Sequence, residues 1–236
     1  MAPALTVIMP VYDEQTTVEA AIARVVEDCP CPFELLVVDD GSTDASHAGI
    51  ARHAARDPRI RVFRHPRNRG KGAAVRTALA HAVGALTVVQ DSDLEYDPRD
   101  LVRLLRALDD PRVDVAVGNR FAHGAPAAPY PGHAIANRLL TLAHNVVTGD
   151  RLGDLHCCYK VYRTPVLRRL GIREDRFGVD AELMAKVATQ RLTIAQVPVS
   201  YRPRRYADGK KVGVRDAVRS VWCAVRYGGT ARFRGR

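Results

Sequence analysis

Between Val88 and Pro98 the chain reads VVQDSDLEYDP, an apolar stub running into Asp91, Asp93, Glu95 and Asp97 with acid at every second position. In an extended chain Asp91, Asp93 and Glu95 share one side, with neighbours about 6.6 Å apart. At an effective dielectric near 20 each neighbouring pair repels by roughly 2.5 kcal/mol, whereas in open solvent the cost falls well below about 1 kcal/mol. An exposed acidic turn is therefore tolerable, but three carboxylates at the end of a buried strand call for a cation. All-oxygen donors select magnesium or manganese, held by one or two carboxylates and completed by substrate phosphate and water. Asp97 reads differently: it precedes Pro98 as an N-cap precedes a first-turn proline, with Asp100 favourable in the same turn.

Two further clusters follow apolar runs. VVDDGSTD (37–44) ends in Asp39 and Asp40 before a glycine turn, with Ser42 or Thr43 available as a helix cap. The paired carboxylates could accept hydrogen bonds from a nucleobase N–H or from ribose hydroxyls. NRGKGAAV (68–75) sets two glycines and Lys71 at a helix start, where free N–H groups and the helix dipole favour a phosphate. It lacks the GxxxxGK[ST] spacing of a P-loop.

These clusters need a scaffold that delivers them to one place. The runs 5–9, 33–39, 60–63, 85–89 and 113–118 read as strands buried on both faces. Between them Val18, Ala21, Ile22, Val25 and Val26 recur at helical spacing, as do Val75, Ala78, Leu79, Ala82 and Val83, and Leu101, Leu104, Leu105 and Leu108. Strand, helix, strand in this order predicts parallel pairing and a three-layer α/β domain with helices on both faces of a mostly parallel, Rossmann-like sheet. In such sheets ligands gather at the carboxyl ends of the strands. Beyond a Gly/Pro/Ala/His loop at 121–133, helices are expected at about 135–147, 179–189 and 214–227, and strands at 158–163 and 193–201.

A chain of 236 residues suits one domain: a nucleotide-binding half to about 118, an acceptor half over about 119–212 and a C-terminal helix at about 213–228. The five cysteines match neither a zinc pattern nor a disulfide framework and read as reduced thiols. No long apolar run or signal peptide is visible, which predicts a cytoplasmic protein. The net charge of +10 suits a phosphate-bearing partner, and aromatics at 6%, not interleaved with the basic residues, argue against a nucleic-acid stacking platform. The last helix carries Val214, Val218, Val221, Trp222 and Val225 beside Arg215, Arg219 and Arg226; such a helix can lie on an anionic bilayer or cover the core.

The ordered motifs VIMPVYDEQ, VVDDGSTD, NRGKGAAV, QDSDLEYDP, GNRF, DLHCCYKVYR, FGVDAEL and YRPRRYADGKK resemble glycosyltransferase family 2, in particular dolichyl- and polyprenyl-phosphate mannose or glucose synthases. The resemblance implies a GT-A fold, a nucleotide-sugar donor, a divalent metal and inversion at the anomeric carbon. It implies that Pro10, Tyr12, Glu14, Asp39, Asp40, Lys71 and Asp91 surround the nucleotide sugar, and that Asp91, Asp93 and Glu95 hold the metal and diphosphate. Arg120, Arg138, Arg204 and Lys210 would bind donor and acceptor phosphates. A polyprenyl phosphate at the membrane face would be an anionic nucleophile needing position more than a base, whereas a soluble hydroxyl acceptor would need one. Candidates for that base are Asp154, Asp180 and Glu182. On a helix, Asp180 shares the face of Leu183, Met184 and Val187, while Glu182 can pair with Lys186 at the surface. Cys157, Cys158 and Tyr159 stand where dolichyl-type enzymes often carry Ser-Gly-Phe, which leaves the acceptor open. A non-catalytic nucleotide- or nucleic-acid-binding protein is the remaining class.

Overall fold

The computed structural model describes residues 3–122, 131–203 and 213–229. In chain order its elements are β1 (Leu5–Val11), α1 (Val18–Asp28), β2 (Phe33–Asp39), α2 (Ser46–Ala54), β3 (Ile60–Arg64), α3 (Lys71–Leu79) and β4 (Leu86–Val89). There follow a short 3-10 turn (Pro98–Asp100), α4 (Leu101–Ala107), β5 (Val115–Asn119), α5 (Pro131–Thr148), β6 (Lys160–Arg163), α6 (Thr164–Leu170), α7 (Val179–Thr189), β7 (Ile194–Pro198) and α8 (Val214–Gly228).

The seven strands form one sheet in the order β3-β2-β1-β4-β6-β5-β7. Strand alternation sorts its two faces. Leu5, Val7, Met9 and Val11 meet Val18, Ile22 and Val25 of α1 and Leu101 and Leu104 of α4. Ile8, Leu36 and Val38 meet Ala74, Val75 and Ala78 of α3 and Met184 and Val187 of α7. The three-layer, mostly parallel α/β architecture is thus present, with one departure. β6 runs antiparallel between β4 and β5, so β5 does not adjoin β4. Strand and helix alternation cannot reveal this, because β6 returns only after the long α5 excursion.

The carboxyl ends of β1, β2 and β4 lie side by side, in register from Leu5 with Phe33 and Leu86. Asp97 accepts the Arg99 N–H with Pro98 in the first turn, as its spacing indicated. The expected cap on α2 differs: Ser42 instead accepts the Asp13 N–H, and Asp44 accepts that of Ser46. One helix escaped the sequence reading: α6 begins directly at the end of β6.

Candidate functional site

The acidic segment after β4 is a turn, not an extended run. Leu94 takes a left-handed φ of 63°, and the Asp93 carboxylate accepts the Glu95 N–H. Glu95 turns aside, its carboxylate accepting the Tyr201 hydroxyl at 2.9 Å and its carbonyl the Arg202 N–H. The expected shared side for Asp91, Asp93 and Glu95 is therefore corrected: the turn breaks the period of two on which it rested.

Asp91 faces Lys71 instead, 2.7 Å from its ammonium. Lys71 opens α3 and also lies 3.9 Å from Asp180 of α7, which receives Lys160 of β6 at 2.7 Å. Four side chains from four elements thus alternate in sign: Asp91, Lys71, Asp180, Lys160. Burial would lower the Lys71 ammonium, but Asp91 and Asp180 overcome it and hold its pKa well above the usual value. Burial would raise the Asp180 carboxyl, yet Lys160 and Lys71 outweigh it and bring it to about 2.

The glycines around Lys71 serve packing. A Cβ on Gly72 would lie 2.0 Å from the Glu174 carbonyl oxygen and one on Gly70 2.4 Å from that of Asp175. The Ala73 N–H donates to the Asp175 carbonyl. The start of α3 is therefore covered by the 174–175 backbone, which corrects the reading of it as an open phosphate cradle; what this stretch offers the site is the Lys71 ammonium.

Asp154 is fully buried and accepts two hydrogen bonds from the Arg120 guanidinium, at 2.7 and 2.8 Å, and one from Asn137 of α5 at 3.0 Å. Burial alone would raise its pKa, but Arg120 holds it below the usual carboxylate range. It is built as a buried counter-ion rather than a waiting base. Arg120 also lies over the Tyr201 ring, 4.8 Å from its centroid. Glu182 departs furthest from expectation. It is fully buried, not superficial, and accepts the N–H groups of Arg173 and Glu174 as well as the Lys186 ammonium. It fastens the loop after α6 and does not share the Asp180 cluster.

At the ends of β1 and β2 the carboxylates are similarly engaged. Asp40 accepts the Arg69 and Gly70 N–H groups and faces His65 at 2.6 Å, so it ties the NRGKG turn to β2. Asp39 accepts the Ser42 N–H; its second oxygen has Arg64 at 3.1 Å and His47 at 3.0 Å, at charge-pair distance but outside hydrogen-bond geometry. Glu14 accepts the Thr17 hydroxyl, and its carbonyl accepts the Val18 N–H at the start of α1. Pro10 and Tyr12 are half-buried beside them, and Arg138 is exposed with its guanidinium 5.5 Å from the Phe121 ring centroid. Arg204 and Lys210 lie outside the described residues.

Among the described residues no group of three or more His, Cys, Asp or Glu side chains gathers as an ion cage. Asp91 and Asp93 nonetheless supply two oxygen-donor side chains in one turn. That set fits a magnesium-type ion arriving with substrate phosphates better than one held permanently by protein. The residue that sequence reasoning missed is Lys160, buried at 2% exposure. A lysine inside the otherwise apolar stretch CCYKVY was the available signal, since such a charge needs a partner.

The dodecaprenyl-phosphate galacturonate synthase of Rhizobium johnstonii is 28% identical over 214 residues, covering 87% of this chain and 61% of the relative. The undecaprenyl-phosphate 4-deoxy-4-formamido-L-arabinose transferase of Salmonella paratyphi B is 27% identical over 210 residues, covering 87% and 62%. The chain thus spans about three fifths of the length of these relatives. Glucosyl-3-phosphoglycerate synthase from Mycobacterium tuberculosis, solved with Mn2+, uridine diphosphate and glucosyl-3-phosphoglycerate, superposes with a TM-score of 0.72 at 20% identity, covering 96% of this chain and 80% of that one. That likeness identifies the fold as the expected GT-A arrangement. Residues 6–171, from β1 through α6, match the family described as "Glycosyl transferase family 2", and the chain belongs to that family.

Proposed function

We propose that the protein transfers a hexose, from a nucleoside diphosphate sugar of the GDP-mannose or UDP-glucose type, to a polyprenyl phosphate with inversion at the anomeric carbon. The observation that carries this reading is the state of the candidate bases. Asp154 is held by Arg120, Asp180 by Lys160, and Glu182 by Lys186 and two backbone N–H groups. Asp154 and Asp180 are pushed below the usual carboxylate range, away from the near-neutral value that suits a general base. A phosphate acceptor needs none, because it is already an anion. The two relatives' names support the same choice: their sugars differ, and a polyprenyl phosphate is what they share.

In this reading an acceptor phosphate oxygen forms the new bond to the anomeric carbon as the bond to the donor diphosphate breaks from the opposite side. The electron pair leaves on the diphosphate. Lys71 opposes the charge growing there, and Asp180 and Lys160 fix the position of its ammonium. Asp91 and Asp93 would hold magnesium or manganese, which when bound neutralises the departing diphosphate. Arg120 and Arg138 would meet phosphate oxygens, with Arg204 and Lys210 assigned to the same task. Asp39, Asp40, Glu14, Pro10 and Tyr12 would border the nucleoside, Asp40 acting chiefly through the turn it ties down. The test is a panel of nucleotide sugars, each with and without polyprenyl phosphate and a divalent ion, reading nucleoside diphosphate release. Release from one donor that depends on the lipid phosphate supports the proposal; none from any donor removes it.

A further inference from the structure

Ten large apolar side chains stand exposed among the described residues, and eight of them lie on two neighbouring helices. On α5 these are Ile135, Leu139, Leu142 and Val146, and on α8 Val218, Val221, Trp222 and Val225. Both spacings keep one side of a helix. That side is opposite the one each helix buries: His144 and Thr148 on α5, Ser220, Cys223 and Ala224 on α8. The helices meet closely at their carboxyl ends, where a Cβ on Gly228 would lie 2.6 Å from Thr148. Val146 and Val225 end the two stripes within a turn of that crossing.

We propose that α5 and α8 together form a face that lies on an anionic bilayer, each apolar stripe entering the headgroup boundary. The choice of a bilayer rests in part on the lipid acceptor proposed above and in part on charge. The two helices carry Arg138, Arg215 and Arg226, and Arg219 paired with Glu174 at 2.8 Å, against a single acid of their own, Asp216, which is occupied at the α8 N-terminus by the Gly213 N–H. Trp222 carries the Arg219 guanidinium 4.0 Å from its ring, an amphipathic pair suited to the headgroup level. No described helix is long and apolar enough to cross a membrane, so this face supplies contact without a span. The other side of α5 reaches the site: Asn137 donates to Asp154, Thr141 accepts the Leu155 N–H, and Asn145 bonds Leu152 in both directions. One helix thereby presents its outside to lipid and its inside to the loop that carries Asp154.

The test is co-sedimentation of the full chain with phosphatidylglycerol-containing vesicles and with vesicles of phosphatidylcholine alone, with neither donor nor acceptor present. Binding is expected to the anionic vesicles, to weaken with salt, and to fall about tenfold or more in Leu139→Asp/Leu142→Asp and in Val218→Asp/Val225→Asp. Val83→Asp, which alters an exposed apolar residue elsewhere, should bind as the wild type. Thermal unfolding checks the fold of each variant, and Trp222→Ala, with a several-fold loss, replaces a double variant that unfolds. No sedimentation with anionic vesicles overturns the proposal, as does binding unaffected by these substitutions. A concentration-dependent dimer that the double variants abolish, without vesicle binding, assigns the face to a second copy and equally overturns it. Because neither substrate is present, failure here and failure of sugar transfer are separate results.

Discussion

Lys71 has a carboxylate on either side, and this alternation decides what each group can do. An ammonium between Asp91 and Asp180 is fixed in place and stays charged, which suits a group meeting a diphosphate. Asp154 differs in kind: its partner Arg120 is nearly buried, so removing the acid strands a cation. Asp154→Asn should cost about 3–5 kcal/mol of stability and lower the melting temperature by roughly 10 °C or more. A loss of turnover with unchanged melting would instead identify Asp154 as a base. The pH dependence of stability carries two signatures. The folded Asp180 carboxyl is depressed, so its contribution is complete above its ordinary value near 4 and disappears as pH falls toward about 2. Asp180→Asn should therefore flatten the acid limb of stability between those values. Asp150 has the opposite sign: burial lifts it to about 6, so its ionisation in the fold costs stability as pH rises from about 4 through 6. Asp150→Asn should raise stability at pH 7 by on the order of 2 kcal/mol and leave it unchanged near pH 3, read by thermal unfolding.

At the scale of elements, α3 shows how a sequence signal can be sound while its physical reading is not. NRGKG correctly marks a helix start, but Gly72 is required by the Glu174 carbonyl, a contact about a hundred residues away in sequence. Gly72→Ala should lose about 2–3 kcal/mol, seen as a fall of roughly 5–10 °C in melting temperature, and weaken transfer by displacing Lys71. The mirror case is the acidic turn. Its composition was legible, and its period of two was not kept, because Leu94 adopts a left-handed backbone that residue type alone does not announce. The strands β1 to β5 were legible from apolar runs, and α1, α3, α4 and α7 from periodicity. The position of β6, the burial of Glu182 and the pairing of Asp154 with Arg120 depend on contacts between distant segments. Lys160 fell between these cases: its type and place gave a hint, but its partner Asp180 could only be found in three dimensions.

At the scale of the molecule, the net charge of +10 and the strand order β3-β2-β1-β4-β6-β5-β7 converge on one arrangement. The fold brings Asp91, Lys71, Asp180 and Lys160 to one place from the turn after β4 and from α3, α7 and β6, while α5 meets the Asp154 loop on one side and carries an exposed apolar stripe on the other. The central claim is that the acceptor is itself an anion, because the candidate bases are already held by cations. The most direct measurement compares polyprenyl phosphate with the corresponding free polyprenol, using whichever nucleotide sugar is turned over and the same divalent ion. Product from the phosphate and none from the alcohol is the expected result; transfer to the polyprenol, or to a soluble sugar hydroxyl, at a comparable rate would contradict the account.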